Sequence, residues 1–125
     1  MATFTTGLIT NTRATGTAAT NIVVSSRNLG TASATVVIEV FGVPGTTLTL
    51  TPLYVTGFIL PANSADIRSF FIAGNISYEV QYSITATLTG VTVSTYGLDE
   101  FGNLVTEQRV LQSELTPTSG LTIPV

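Results

Sequence analysis

From about Asn21 onward the chain alternates apolar and polar residues with a period of two. The clearest run interleaves Tyr78, Val80, Tyr82, Ile84, Ala86 and Leu88 with Ser77, Glu79, Gln81, Ser83, Thr85 and Thr87. That pattern predicts a strand with one face in a core and the other toward water. The same period marks Ala34–Phe41, where Val36, Ile38 and Val40 share a face, and Thr46–Leu53, Tyr54–Leu60, Ala65–Ala73, Val91–Tyr96 and Leu104–Leu111. Turn signals separate these runs: Asn28-Leu29-Gly30, Pro44-Gly45, Pro61-Ala62-Asn63-Ser64, Gly74-Asn75, Gly90 and Asp99-Glu100-Phe101-Gly102-Asn103. No window carries an apolar stripe at helical spacing. About eight short strands at such intervals predict a single all-β sandwich over residues 21–125, of jelly-roll type.

The first twenty residues break the pattern. Met1–Thr20 is threonine, alanine and glycine with scattered apolar residues, Phe4, Leu8 and Ile9, and no hairpin partner in view. Its glycines and alanines suit a disordered tail or flexible spacer, and its β-propensity suits an extended N-terminal arm that adds a strand to a neighbouring subunit; the open edges of a sandwich favour the arm. At the other end, Thr116-Pro117-Thr118-Ser119-Gly120 reads as a linker into a last short strand, Leu121–Val125.

Composition then removes most chemistry. The sequence has no lysine, histidine, cysteine or tryptophan, and about a fifth of it is threonine. Without imidazole, thiol or amine, the usual general bases and covalent nucleophiles are missing, and no His/Cys cluster can hold zinc. No cofactor is implied, and the chain reads as building material rather than an enzyme. Only 9% of residues are charged while 44% are hydrophobic, against about 25% charged in an average soluble protein. Surface covered by copies of the same chain accounts for that balance. A net charge of −3 gives no basic footprint for nucleic acid, and no run is long enough for a membrane helix. The N-terminus lacks the basic and apolar regions of a secretory signal. An inert, exposed protein without an export signal is expected outside the cell, or on a spore surface, after lysis.

The remaining candidates are carboxylates and arginines. Asp99 and Glu100 lie in a loop with Gly102 and Asn103, where their oxygens would suit calcium. The plainer reading is a hairpin turn capped by Asp99 with Gly102 at positive φ. Glu79, Glu107 and Glu114 fall on polar strand faces with no catalytic spacing. Asp66 and Arg68 share a strand face and suit either each other or partners across an interface. Arg68, Glu107 and Arg109 are the charges expected at a subunit contact, together with Phe4, Leu8 and Ile9 of the arm. Asn75-Ile76-Ser77 matches a glycosylation sequon by pattern alone. The tyrosines and phenylalanines suit core and interface packing better than a sugar platform. With neither cysteine nor lysine, assembly must be non-covalent.

The runs Ile72–Tyr82 and Tyr96–Val105, with the signal-less arm and the Thr/Val-rich sandwich, resemble small jelly-roll subunits of bacterial endospore appendages and spore-surface fibres of Bacillus-like Firmicutes. The resemblance is one of architecture and composition across the whole chain. It implies a structural subunit that polymerises by inserting its arm into the next copy; whether an anchoring or tip protein is a further partner is not readable from the sequence. One departure is the absence of the arm cysteines that staple neighbours in the better-known subunits. A virion structural protein and a carbohydrate-binding module are the alternative readings of the same features.

Overall fold

Alternation becomes register where long strands lie side by side. A computed structural model describes residues 2–85 and 90–124. Ten strands form among them: β1 Ala2–Thr5, β2 Ile9–Thr10, β3 Asn21–Asn28, β4 Ala34–Pro44, β5 Thr51–Leu60, β6 Ser64–Phe71, β7 Asn75–Ile84, β8 Val91–Leu98, β9 Leu104–Val110 and β10 Thr116–Thr118. The helical content of the described residues is one short 3₁₀ turn, Gln112–Glu114. Ala86 and Leu88, the end of the clearest alternating run, lie outside the described residues.

The chain is an all-β sandwich. One sheet has the order β10-β1-β7-β4-β5, with β2 also on β7, and the other has the order β6-β3-β8-β9; all pairings are antiparallel. Of the wiring, β4–β5 and β8–β9 are hairpins within one sheet, and the chain otherwise crosses repeatedly between sheets. The expected core face is real: Val36, Ile38 and Val40 of β4 and Tyr78, Val80, Tyr82 and Ile84 of β7 are buried against Ile22 and Val24 of β3 and Val91 and Val93 of β8. Both core tyrosines reach the opposite sheet, Tyr78 donating to Gln108 Oε1 at 2.9 Å and Tyr82 bonding Thr95. A buried phenol needs such a partner. Burial pushes both hydroxyls well above the ordinary tyrosine range.

The arm is where expectation and structure part. Residues 2–5 and 9–10 are strands of the chain's own sheet: β1 lies between β7 and β10, with Phe4 opposite Tyr82, and β2 continues along β7 with Ile9 opposite Tyr78. Gly7, at φ +69, turns the chain between the two strands in a conformation that a side chain disfavours. Phe4 fills the core. The reason is geometric: β7 offers a partner edge that no other strand takes, and backbone groups beside a core must be paired.

Two further boundaries differ. Residues 46–50 are not strand; Thr47 and Leu48 N–H groups bond back to Pro44 O, Leu48 turns to φ 54, and the expected pair of strands over 46–60 becomes the single β5. At the C-terminus, the expected linker supplies the strand. Thr116–Thr118 pairs with Thr3–Thr5, while residues 121–124 are not strand and Val125 is outside the described residues. Pro117 is tolerated because β10 is an edge with no further partner to serve.

Candidate functional site

β5 and β6 are both edge strands, one in each sheet, and they lie on the same side of the sandwich. Their inward residues close a seam. Arg68 donates to Asp66 Oδ2 at 2.7 Å and to Thr56 Oγ1 at 3.4 Å, and its guanidinium lies 4.0 Å from the centre of the Phe58 ring. Tyr54 packs on Phe70 with ring centres 5.1 Å apart and donates its hydroxyl to Phe71 O at 2.9 Å. A guanidinium suits this place because it stacks on an aromatic face while its fork serves a carboxylate.

The outward residues of the same strands are apolar and open. Val55 and Ile59 on β5 are 48% and 69% exposed, and Ile67 and Phe71 on β6 are 72% and 61% exposed. Leu48 and Leu50, just before β5, are exposed as well. The free backbone can be placed. Thr85 N–H donates to Thr35 O, so Thr35, Val37 and Glu39 turn their backbone groups to β7, and Val36, Ile38 and Val40 turn theirs to β5. Their partners are Phe58, Thr56 and Tyr54. The backbone groups of Val55, Gly57 and Ile59 therefore face away from the sheet, and among the described residues no strand lies beside them.

The residues expected at a subunit contact are not brought together. Phe4 is core, Ile9 is half-buried against it, and only Leu8 of that trio is exposed. Arg68 is spent within the chain on the β5–β6 seam. Glu107 and Arg109 are exposed on β9, the opposite edge of the sheet that has β6 as its other edge. The first three fail as a free arm because β7 takes that segment. The charges stand on two different edges, because the strand order separates β6 from β9 by two strands.

Asp99 and Glu100 both make hydrogen bonds within the chain. Asp99 Oδ1 accepts from Phe101 N and Asn103 N, both at 2.9 Å, and Gly102 sits at φ +80, which is the capped turn. Glu100 turns away to meet Arg13 through two bonds of 3.0 and 2.7 Å; that hydrogen bond holds the Glu100 carboxyl below the usual range and raises Arg13. Among the described residues no cluster of three acidic, histidine or cysteine side chains is placed to hold a metal ion. Asn75 of the sequon donates its amide to Ile72 O at 2.9 Å and packs against Gly42.

Sequence reasoning passed over two buried polar features. Asn11, fully buried, donates to Ala19 O and Asn75 O and accepts from Ala19 N and Gln108 Nε2, at 2.7–3.2 Å. Gln108 also donates to Thr10 O at 3.1 Å and accepts from Tyr78. This network ties residues 10–19 to both sheets. A lone Asn in a Thr-rich run carries no local signal for it. The second feature is Glu39, buried in mid-β4, with Oε1 accepting Ile123 N at 3.1 Å and Oε2 unpartnered. Burial pushes its carboxyl above the usual range, opposed by the Ile123 bond. A signal existed here: Val37, Phe41 and Val43 make the second face of β4 apolar too, as a covered face would be.

Comparison with protein-family models and with curated proteins gives no match. Among solved structures, the chain is similar to the crystal structure of Thermotoga maritima 1070, at 11% identity over 94% of this chain and 90% of that one, with a TM-score of 0.47.

Proposed function

We propose that this protein is a structural subunit that assembles non-covalently with copies of itself, at an extracellular or spore-surface location, and performs no catalysis. The observation that carries the reading is the β5–β6 side, where two edge strands present free backbone and exposed Val55, Ile59, Ile67 and Phe71. Natural sheets blunt their edges with charges, prolines, bulges or covering loops. β5 carries Pro52 and a bulge at Leu53 near its start, but from Tyr54 to Leu60 it has no charge, proline or bulge, and the Asp66 and Arg68 charges of β6 cancel within the seam. A long, neutral, apolar edge is a template for another strand. The absence of lysine and cysteine from the sequence supports an assembly held by burial and strand pairing alone.

The purified protein should therefore run above monomer mass in analytical ultracentrifugation. The assembly should ignore reducing agents and dissociate in strong denaturant. Negative-stain images then report whether it is a fibre. A protein that stays monomeric from micromolar to millimolar concentration would sink this reading.

A further inference from the structure

We infer that the self-contact is a two-fold one, in which β5 of one copy pairs antiparallel with β5 of a second copy about Gly57. The inference rests on the self-assembly reading above and specifies its interface. In an antiparallel pair of edge strands, residues with free backbone groups must face one another, each pair exchanging two N–H···O bonds. The free groups on β5 belong to Val55, Gly57 and Ile59, equally spaced about Gly57. Centring the two-fold on Gly57 sets Gly57 against its own copy, Val55 against Ile59 and Ile59 against Val55. Every free group of the three residues is then used, and both flanking pairs join apolar side chains on one face. At the axis, where identical residues approach most closely, the glycine contributes no side chain. The strand beyond ends at Pro61, which has no N–H to offer and terminates the pairing.

Charge agrees with this occupant. The edge carries no charge to repel its own copy, although each copy bears a net charge of −3. The other edges do not match β5. β6 has lost Phe71 O to Tyr54, β9 carries Glu107 and Arg109, and β10 is three residues long with Pro117 in it. Equal strands fit each other, and the resulting isologous contact closes on itself.

The chain's lack of cysteine makes the register directly testable. A Cβ at Gly57 meets nothing nearer than Val37 Cγ2 at 3.6 Å, so Gly57→Cys should fold. Directly opposed residues of such a pair lie about 5.5 Å apart, within disulfide reach. Air oxidation of Gly57→Cys should give a disulfide dimer within hours, while Ser69→Cys on the β6 edge should stay reduced. The double variant Val55→Lys/Ile59→Lys should weaken dimerisation at least about 100-fold in sedimentation equilibrium, while Leu104→Lys on β9 leaves it unchanged. An assembly that persists in the lysine variant, with Gly57→Cys unlinked, would overturn the β5 contact and leave self-assembly standing. Filaments abolished by lysine on either β5 or β9 would mean a head-to-tail contact and would overturn the two-fold. Wild-type protein that is monomeric throughout would remove both readings.

Discussion

The two ends of this chain and its middle strands β5 and β6 have exchanged the roles that their composition suggests. The ends are glycine-, threonine- and proline-rich and read as loose, yet they are tied down. β1 lies between β7 and β10, the Asn11–Gln108 network holds residues 10–19, and Thr122 and Ile123 dock on Gln81 and Glu39. The middle strands read as ordinary body, yet they are the open edges with exposed apolar side chains. The difference separates two kinds of information. Period-two alternation reports which face of a strand is buried. It does not report which strand has a neighbour, because pairing is decided by how distant segments compete for the same backbone groups.

The sharpest way to break this comparison is to delete residues 1–20. A free arm would leave the sandwich intact. Here the deletion removes β1, β2, Phe4 and Asn11 and bares the edge of β7, so the loss should exceed the whole ~5–15 kcal/mol of a domain's stability. The truncated chain should be insoluble or lack a cooperative thermal transition. A soluble, cooperatively melting product would restore the arm to the role first expected of it.

Asn11→Ala tests the tie rather than the strand. Removing Asn11 leaves Ala19 N, Ala19 O and Gln108 Nε2 short of partners in the interior, at a cost of about 2–4 kcal/mol. Denaturant titration reads the loss. Trypsin provides a local check. With the network in place, and Arg13 held by Glu100 and by Thr15 O, the 13–14 bond should resist cleavage in the native chain, and Asn11→Ala should expose it. Equal cleavage in both proteins would show that the segment opens regardless of the network.

On the open side, Arg68→Ala should cost only about 1 kcal/mol, since the guanidinium is partly solvated and its contacts with Phe58 and Asp66 are worth little at such a site. Thermal unfolding measures it. A loss as large as that of Asn11→Ala would mean the seam is as integral as the tied ends.

How much was legible follows from the same distinction. The faces of Val36, Ile38 and Val40, the capped Asp99 turn and the Asp66–Arg68 pair follow from local spacing, and all three are present. Phe4 and Ile9 were visible as apolar residues, but their partner is β7, more than sixty positions away. Asn11 and Gln108 are ninety-seven positions apart. The open β5–β6 side could not be seen locally either, because an edge exists only once the strand order is known.

The smallest effect concerns the C-terminal tie and turns on pH. Glu39 lies beside Val55 in the β4–β5 register, and its Oε1 takes the N–H of Ile123. Burial raises its folded-state pKa above the ordinary 4.5. Below that ordinary value the carboxyl is neutral whether folded or unfolded, and its burial carries no ionisation penalty. As pH rises through the raised folded value, the unfolded chain sheds the proton more readily than the folded one, so stability is lost with increasing pH. Glu39→Gln keeps an oxygen for Ile123 and cannot ionise. Its melting temperature should match the wild type near pH 4 and exceed it at pH 7, with a flatter pH profile between. An unchanged wild-type slope in the variant would place the titrating group elsewhere. A lower melting temperature at every pH would mean that the carboxylate itself, rather than the shape of the side chain, fastens the C-terminal segment to the sheet.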